Sequence, residues 1–585
     1  MSPRDGDPPE HHTQVGRPEA QLPATQQPSV EIAAGGRNQL RSKQAKTGGW
    51  LWFAGCLVCA VVIASPLAVV IASLLHDSGG AWQHLVETRL SSYALNTAIL
   101  VTGVCALSLA LGVVPAWFVA RFDFPGRPVL AWALVLPLAV PSYVAAYAVT
   151  DLLQFSGPIQ TSLRSLTGWT AGEYWFPSAR SLGGAIVILA STLYPYVYIA
   201  SRIAFGGQCA AMSEAGRTLG LSSNGVLIRI ALPLARPAIA AATMLVAMET
   251  IADFGAVEYC AVDTLTTGVY RAWFGLDSQV AAAQLSTLIV AIAVCLVAVE
   301  AVLRRRQRHY NTTSRCARDY RSTIAGWRGV ALCAVCVLPV SLGFVIPVSR
   351  LVYLTREMPD PEGLGLVLRY GQNSLLLAVA SGSIAAGVAL VVVCAHRIRR
   401  QRASYIAKLV CRFGYALPGP VIAIGVLMLA ASIDRWTHSA WRSVDGPLPT
   451  HQLGRTLTDL LFAYQSRFSG IAIGIIDGSM RSIGRSLDDS ARSLGLSATG
   501  VVLRIHAPLV RRALLGGALL VFVDVVKELP ATLMLRPFNF DTLAVRVYQL
   551  ASEERLGEAA TAALAIIAVG ILPMVLVSRE IDRGR

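Results

Sequence analysis

The sequence predicts an all-α polytopic membrane protein, with twelve transmembrane helices arranged as two parallel six-helix repeats. Three observations carry this. Residues of the AVILMFWYC set make up 54% of the 585-residue chain against 15% charged residues. Apolar runs near the ~20 residues needed to cross a bilayer recur throughout, with the charges confined to the gaps. A polar motif near Glu214 returns near Asp489. Length alone would suggest about four soluble domains, and composition overrules that.

The first 49 residues are rich in Pro, Gln, Gly and charge and cannot bury a core, so 1–49 is expected to be a disordered cytoplasmic tail. The run from Trp50 to Leu75 is too long for a signal-peptide core and serves as an uncleaved first span. Further apolar stretches place helices near 93–120, 129–152, 181–205, 235–259 and 279–303. After a cytoplasmic linker at 311–327 the pattern restarts near 329–353, 372–396, 404–432, 455–475, 510–535 and 558–578. Gln465, Ser466 and Arg467 interrupt the tenth stretch. The first repeat is thus 50–310 with a core of 92–303, and the second 328–585 with a core of 370–578.

The formal net charge of +15 reads as topology. Arg41, Lys43 and Lys46, the loops around Arg121, Arg217, Arg304 to Arg306, Arg397 to Arg402 and Arg481 to Arg492, and Arg583 with Arg585 all fall on one side of the predicted spans. Cationic short loops mark the cytoplasmic face, so both termini are expected inside. No basic stripe interleaved with aromatics lies on a foldable soluble segment, which excludes a nucleic-acid face. Cys56-x-x-Cys59 and Cys333-x-x-Cys336 lie within apolar helices without histidine or a second pair at ligand spacing, and read as packing residues.

The internal repeat is the strongest signal. Residues 214–239 (EAGRTLGLSSNGVLIRIALPLARPAI) and 489–514 (DSARSLGLSATGVVLRIHAPLVRRAL), an offset of 489 − 214 = 275, share thirteen identities in twenty-six positions. The register persists. Asn96-Thr97 meets Asn373-Ser374, Pro141 meets Pro418, and Asp263-Thr264-Leu265 with Tyr270 meets Asp541-Thr542-Leu543 with Tyr548. An even number of helices per copy returns the chain to its starting side, so the copies are parallel and a pathway is expected between them. The repeated segment is polar and punctuated by glycine, on the predicted cytoplasmic face. A short helix over Glu214 to Leu219 is broken by Gly220, Ser222 or Ser223 caps a second, and Pro233 ends that helix before the next span. The expected product is a knob for a groove on a soluble partner, with Leu221, Val226 and Ile230 as apolar anchors.

This segment resembles the EAA coupling loop of binding-protein-dependent ABC permeases. Glu214, Ala215, Gly216, Gly220 and Pro233 carry the pattern in one copy, and Asp489, Ser490, Ala491, Gly495 and Pro508 in the other. The second copy departs at the acid, and His506-Ala507 replaces Ala231-Leu232, so equal coupling of the two halves is not implied. The stretches 252–275 and 527–559 resemble fused permeases of the ferric-iron importer family, a match spanning nearly the whole transmembrane region. The resemblance implies a type I ABC importer permease fold in the bacterial inner membrane. It also implies two copies of a cytoplasmic ABC ATPase, one on each loop, and an extracytoplasmic, periplasmic substrate-binding protein. The chain's four lysines, Lys43, Lys46, Lys408 and Lys527, lie in no phosphate-cradling Gly-x-x-x-x-Gly-Lys-Ser/Thr, so ATP is expected to be hydrolysed on another subunit and no cofactor is expected here.

Ionisable residues within spans usually face a bundle interior or an aqueous path. Glu249 and Asp253 are spaced i, i+4 on the fifth span, and Asp524 and Glu528 repeat the spacing on the eleventh. If the two faces meet at the central axis, four carboxylates line it and suit a hard cation such as Fe³⁺ better than an anion. Lys527 leaves open a structural ion-pair network instead, and no residue is firmly assigned to a metal. Related fused permeases for thiamine or aminoethylphosphonate share the loop motif. A reading of a different class is a secondary transporter driven by protons through the same four acids, which needs no coupling loop.

Overall fold

The computed structural model describes residues 31–170, 172–206, 216, 218–305, 322–358, 363–442 and 454–583. In the first half the helices used below are α1 (Glu31–Ala72), α2 (Leu90–Arg121), α3 (Arg127–Ala133), α4 (Ser142–Leu153), α5 (Pro158–Thr167), α6 (Leu182–Gly206), α7 (Leu232–Ala252), α8 (Gly255–Tyr259), α9 (Leu265–Phe274) and α10 (Gln279–Arg305). In the second half they are α11 (Trp327–Val340), α12 (Ile346–Glu357), α13 (Gly363–Ile398), α14 (Arg402–Phe413), α15 (Gly419–Arg442), α16 (Leu457–Ser482), α17 (Arg485–Ser493), α18 (Arg511–Val526), α19 (Pro530–Leu535), α20 (Leu543–Ser552) and α21 (Leu556–Arg583). The strands, β1 (Phe122–Asp123) and β2 (Ser322–Thr323), pair in parallel and bring the chain after α2 beside the chain before α11.

Each repeat is built on the same three-helix core, α2, α6 and α7 in the first and α13, α16 and α18 in the second. Small residues set the approach, as they do where lipid offers no hydrophobic drive between helices. A Cβ on Gly112 of α2 would come within 2.8 Å of Val197 on α6, and one on Gly382 of α13 within 2.6 Å of the Ala518 carbonyl on α18. The leading helix of each half crosses over: α1 packs on α13, α14 and α15, while α11 packs on α2 and α3, and α12 packs both on α4 and on α21 of its own half.

The repeated pairs read from the sequence turn out to be two sides of one contact. Asn96 donates to the Asp263 carbonyl at 2.9 Å, and Asn373 donates to the Asp541 carbonyl at 2.9 Å. The Thr97 hydroxyl accepts from Leu265 N–H at 3.0 Å, and Ser374 accepts from Leu543 N–H at 2.9 Å. In both halves a polar pair on the core helix therefore pins the start of α9 or α20. Without it, the buried backbone groups at these helix starts would lack partners.

Several expectations are corrected. Among the described residues eight helices are long and apolar enough to cross a membrane, or nine if Arg127–Ala139 and Ser142–Thr167, bent by 95°, count as one span. That measure does not confirm the count of twelve. α16 carries Arg467 and Asp477 and α18 stops after 16 residues, whereas α21 runs on from Leu556 to Arg583. The ninth span is Gly419–Ser439 rather than 404–432, because Gly414 and Pro418-Gly419 separate it from the amphipathic α14. α1 begins at Glu31, so the backbone is helical over the last part of the segment expected to be disordered, where Ala, Gln, Leu and Arg favour extension of the apolar helix.

Candidate translocation cavity and coupling loops

The second loop forms the expected knob. α17 ends in a left-handed glycine, Gly495 at φ +84°, with Leu496 N–H bonded to the Ala491 carbonyl at 3.1 Å. In the first loop Gly220 sits at φ +82° and Leu221 N–H bonds the Gly216 carbonyl at 3.0 Å. Both ends are Schellman-type stops, which need a residue free of a Cβ penalty. Ser497 then caps the short helix Ala498–Val501 by accepting from Gly500 N–H. Asp489 lies on α17 and Pro508 within Ala507–Leu509, whereas Glu214 and Ala215 lie outside the described residues.

Two details of the knob differ from expectation. Pro233 does not end a helix. A π turn, Leu227–Ala231, runs straight into α7, with Leu232 N–H reaching back to the Leu227 carbonyl. The same device precedes Pro508 and Pro347, with π turns at Val502–His506 and Ser341–Val345. The widened turn shifts the hydrogen-bond register where proline has no N–H to give. The expected anchors Leu221, Val226 and Ile230 also face inward. All three lie around Gly216, whose added Cβ would meet Ile230 at 2.7 Å. The side chains turned outward are Leu219 and Ile228, 82% and 62% exposed, and at the same 275-residue offset Leu494 and Leu503, 85% and 59% exposed.

The second knob is braced to its own bundle. Asp488 accepts from Arg397 Nε at 2.7 Å and lies 2.7 Å from His506 Nε2, while Arg397 also donates to the Met480, Ile483 and Gly484 carbonyls. Burial by itself would raise the Asp488 carboxyl, but the hydrogen bonds and charges of Arg397 and His506 hold it below the ordinary carboxylate range. At the offset that relates the loops, Ser213 and Ala231 stand where Asp488 and His506 do, so the sequence does not repeat this brace in the first half.

Between the halves lies a cavity of about 110 Å³, and all four predicted acids, Glu249, Asp253, Asp524 and Glu528, line it. Their arrangement is not the expected one. α7 ends at Ala252, and Asp253 follows in extended geometry with ψ 130°. Its carboxylate accepts from Ser142 Oγ and from the backbone N–H groups of Ala256 and Val257 at the start of α8. α18 likewise ends at Val526, and Glu528 accepts from Ala531 N–H at 3.0 Å at the start of α19. Each helix therefore ends before its second acid, which sits in the break and caps the short helix beyond. Pro530 at the start of α19 and Gly255 at the start of α8 fix the breaks. A Cβ on Gly255 would come within 2.8 Å of Tyr143 and 2.9 Å of Leu529.

The acids are also largely answered from within the protein. Asp524 pairs with Lys527 at 2.8 Å and Glu528 with Arg467 at 2.5 Å, while Glu249 lines the cavity beside Tyr415. Arg467 is the residue the sequence reading did not promote. Its signal was there, as the cation that interrupted the tenth span. Four carboxylates against Arg467 and Lys527 leave the lining formally two charges negative, 4 − 2. Among the described residues no group of three or more His, Cys, Asp or Glu side chains is placed to hold a metal ion, so the four acids do not form one ligand set.

The profile of the family described as binding-protein-dependent transport system inner membrane component matches residues 108–310 and again 362–584. The chain is similar to the Fe(3+)-transport system permease protein FbpB 2 of Haemophilus influenzae, at 23% identity over 507 residues that cover 85% of this chain and 91% of that protein. It is also similar to the molybdenum transport system permease protein ModB of Escherichia coli, at 31% identity over 176 residues, 30% of this chain and 69% of ModB. The sulfate transport system permease protein CysW of Escherichia coli is 27% identical over 224 residues, 37% of this chain and 74% of CysW.

Proposed function

The chain belongs to the binding-protein-dependent transport system inner membrane components, and from that premise we propose that it is the fused permease of a ferric-iron importer. It is a multi-pass membrane protein with a duplicated type I ABC importer permease fold, and the family works with an ATPase and a substrate-binding protein. Each knob receives one of two cytoplasmic ATPase copies. Leu219 and Ile228 on one knob, and Leu494 and Leu503 on the other, enter grooves on the ATPases. Glu214 and Asp489 open the two loops, Gly220 and Gly495 shape them, and Pro233 and Pro508 mark their return to the core. ATPase closure then moves the two repeats against each other about the central cavity. The termini face the cytoplasm on the positive-inside rule.

The observation that carries the iron reading is the alignment of both repeats, as one chain, with a Fe(3+) permease. The excess of carboxylates around the cavity supports it, since oxygen donors suit a hard cation. Arg467 and Lys527 in the same lining, with the molybdate and sulfate relatives, favour a second reading in which the cargo is an oxyanion. Uptake into proteoliposomes holding the permease, its ATPase and its binding protein separates the two. The iron reading expects ATP-dependent accumulation of ferric iron and none of molybdate or sulfate. Uptake of molybdate or sulfate without iron overturns it.

A further inference from the structure

Helix α1 stands at the head of the first repeat in sequence, yet it is fastened to the knob of the second. Trp52 Nε1 donates to Thr499 Oγ1 at 3.2 Å, and α1 packs on the short helix Ala498–Val501 that Ser497 caps. Close by, just past the end of α13, the Arg399 guanidinium lies 4.9 Å from the Trp50 ring and 5.6 Å from the Phe53 ring. Arg399 follows Arg397 by two residues, and Arg397 holds Asp488 of the same knob. α1 is thus tied to the knob directly and through the brace beneath it.

The helix carries that attachment across the bundle. Trp52 and Val70 are 70 − 52 = 18 residues apart, about 27 Å of helix, close to the thickness of a bilayer core. Pro66 would ordinarily weaken such a rod, because it has no N–H for the Val62 carbonyl. Here Ser65 Oγ donates to that carbonyl at 2.8 Å, and Gly425 of α15 leaves room for the Pro66 carbonyl to seat against it. At the end away from the knob α1 meets the first repeat. Gln284 of α10 donates to the His76 carbonyl at 3.1 Å. The Thr287 hydroxyl of α10 lies 3.2 Å from the Val70 carbonyl and shares its hydrogen with the Ala283 carbonyl of its own helix at 3.0 Å. α10 packs in turn on α9, whose Tyr270 ring is 4.7 Å from that of Phe254 in the lining of the central cavity.

The two halves differ at this attachment. Trp327 stands 327 − 52 = 275 residues after Trp52 but is 77% exposed, and the first knob has Asn224 where the second has Thr499.

We propose that α1 is a strut that carries the movement of the second knob to α10 and α9 of the first repeat, with Trp52 as the residue that positions it. The two ATPase docks then do unequal work, the second acting on both repeats. The strut rests on the reading of the second knob as an ATPase dock and not on the identity of the cargo.

The test uses the full transporter with its ATPase and binding protein in proteoliposomes, and reads ATP hydrolysed, ferric iron taken up and ATPase copurified. Should the parent carry molybdate or sulfate in place of iron, the same ratio is read on that anion. Trp52→Ala frees the near end, Trp52→Phe keeps a ring there and removes only the N–H, Gln284→Leu with Thr287→Val frees the far end, and Trp327→Ala is the control. Each freed end is expected to keep both ATPases and hydrolysis within about twofold of the parent, while uptake per ATP falls about fivefold, the scale of a lost hydrogen bond; Trp52→Phe shows the same defect in smaller measure. Freeing both ends together is expected to cost no more than freeing the worse one, because the ends of one strut act as a unit. Unchanged uptake per ATP with either end freed, an equal fall in Trp327→Ala, or losses that multiply in the combined variant overturn the strut. Retention of two ATPases by Leu494→Asp would instead sink the dock reading, and the strut with it.

Discussion

At the scale of single residues, the cavity is held by charges that cannot be removed one at a time. Arg467 and Glu528 are 9% and 6% exposed and bonded at 2.5 Å. Taking away one partner of such a pair leaves an uncompensated buried charge, at a cost of about 3–5 kcal/mol. Arg467→Met is therefore expected to lower the thermal unfolding temperature in detergent sharply, and the double variant Arg467→Met with Glu528→Met to recover most of the loss. A double variant as unstable as the single would remove the pair from the account. Much of this was legible in the sequence: all four acids reach the cavity as their spacing suggested. Their geometry was not legible, because helical periodicity was carried through Asp253 and Glu528, where the chain in fact breaks. Pro530 two residues past Glu528 was the available signal, and in the first half only Gly255 marked the place.

At the scale of elements, the knobs depend on two glycines. Gly220 and Gly495 have φ of +82° and +84°, a region in which an L residue costs roughly 1–2 kcal/mol and a β-branched one more. Gly495→Val is expected to unravel the end of α17 and to weaken ATPase copurification by about tenfold or more. Gly478→Ala within α16, where an added Cβ meets nothing within 4 Å, serves as the control and is expected to leave copurification unchanged. Equal copurification by the valine variant and the parent would remove the left-handed stop from the coupling mechanism. Here the sequence was read correctly for the turn and wrongly for its surface. The spacing of Leu221, Val226 and Ile230 marks an apolar face without saying which way it turns, and that face packs on Gly216 to hold the knob together.

At the scale of the whole molecule, duplication explains both what could be read ahead and what could not. The thirteen shared identities mark the knobs, and the matched Asn96 and Asn373 mark the pinned helices α9 and α20, because those contacts are needed in both halves. The exchange of α1 and α11–α12 between halves left no comparable trace, since apolar helix surfaces of similar composition serve either partner. The halves depart from each other under the knobs, where Asp488 and His506 of the second stand against Ser213 and Ala231 of the first. The central claim is that the two knobs are the ATPase docks, each through an outward leucine, Leu219 and Leu494. The most direct measurement is the number of ATPase subunits that copurify with one permease chain. The account predicts two for the parent, one for either Leu219→Asp or Leu494→Asp, and none for both together; two ATPases retained by the double variant would contradict it.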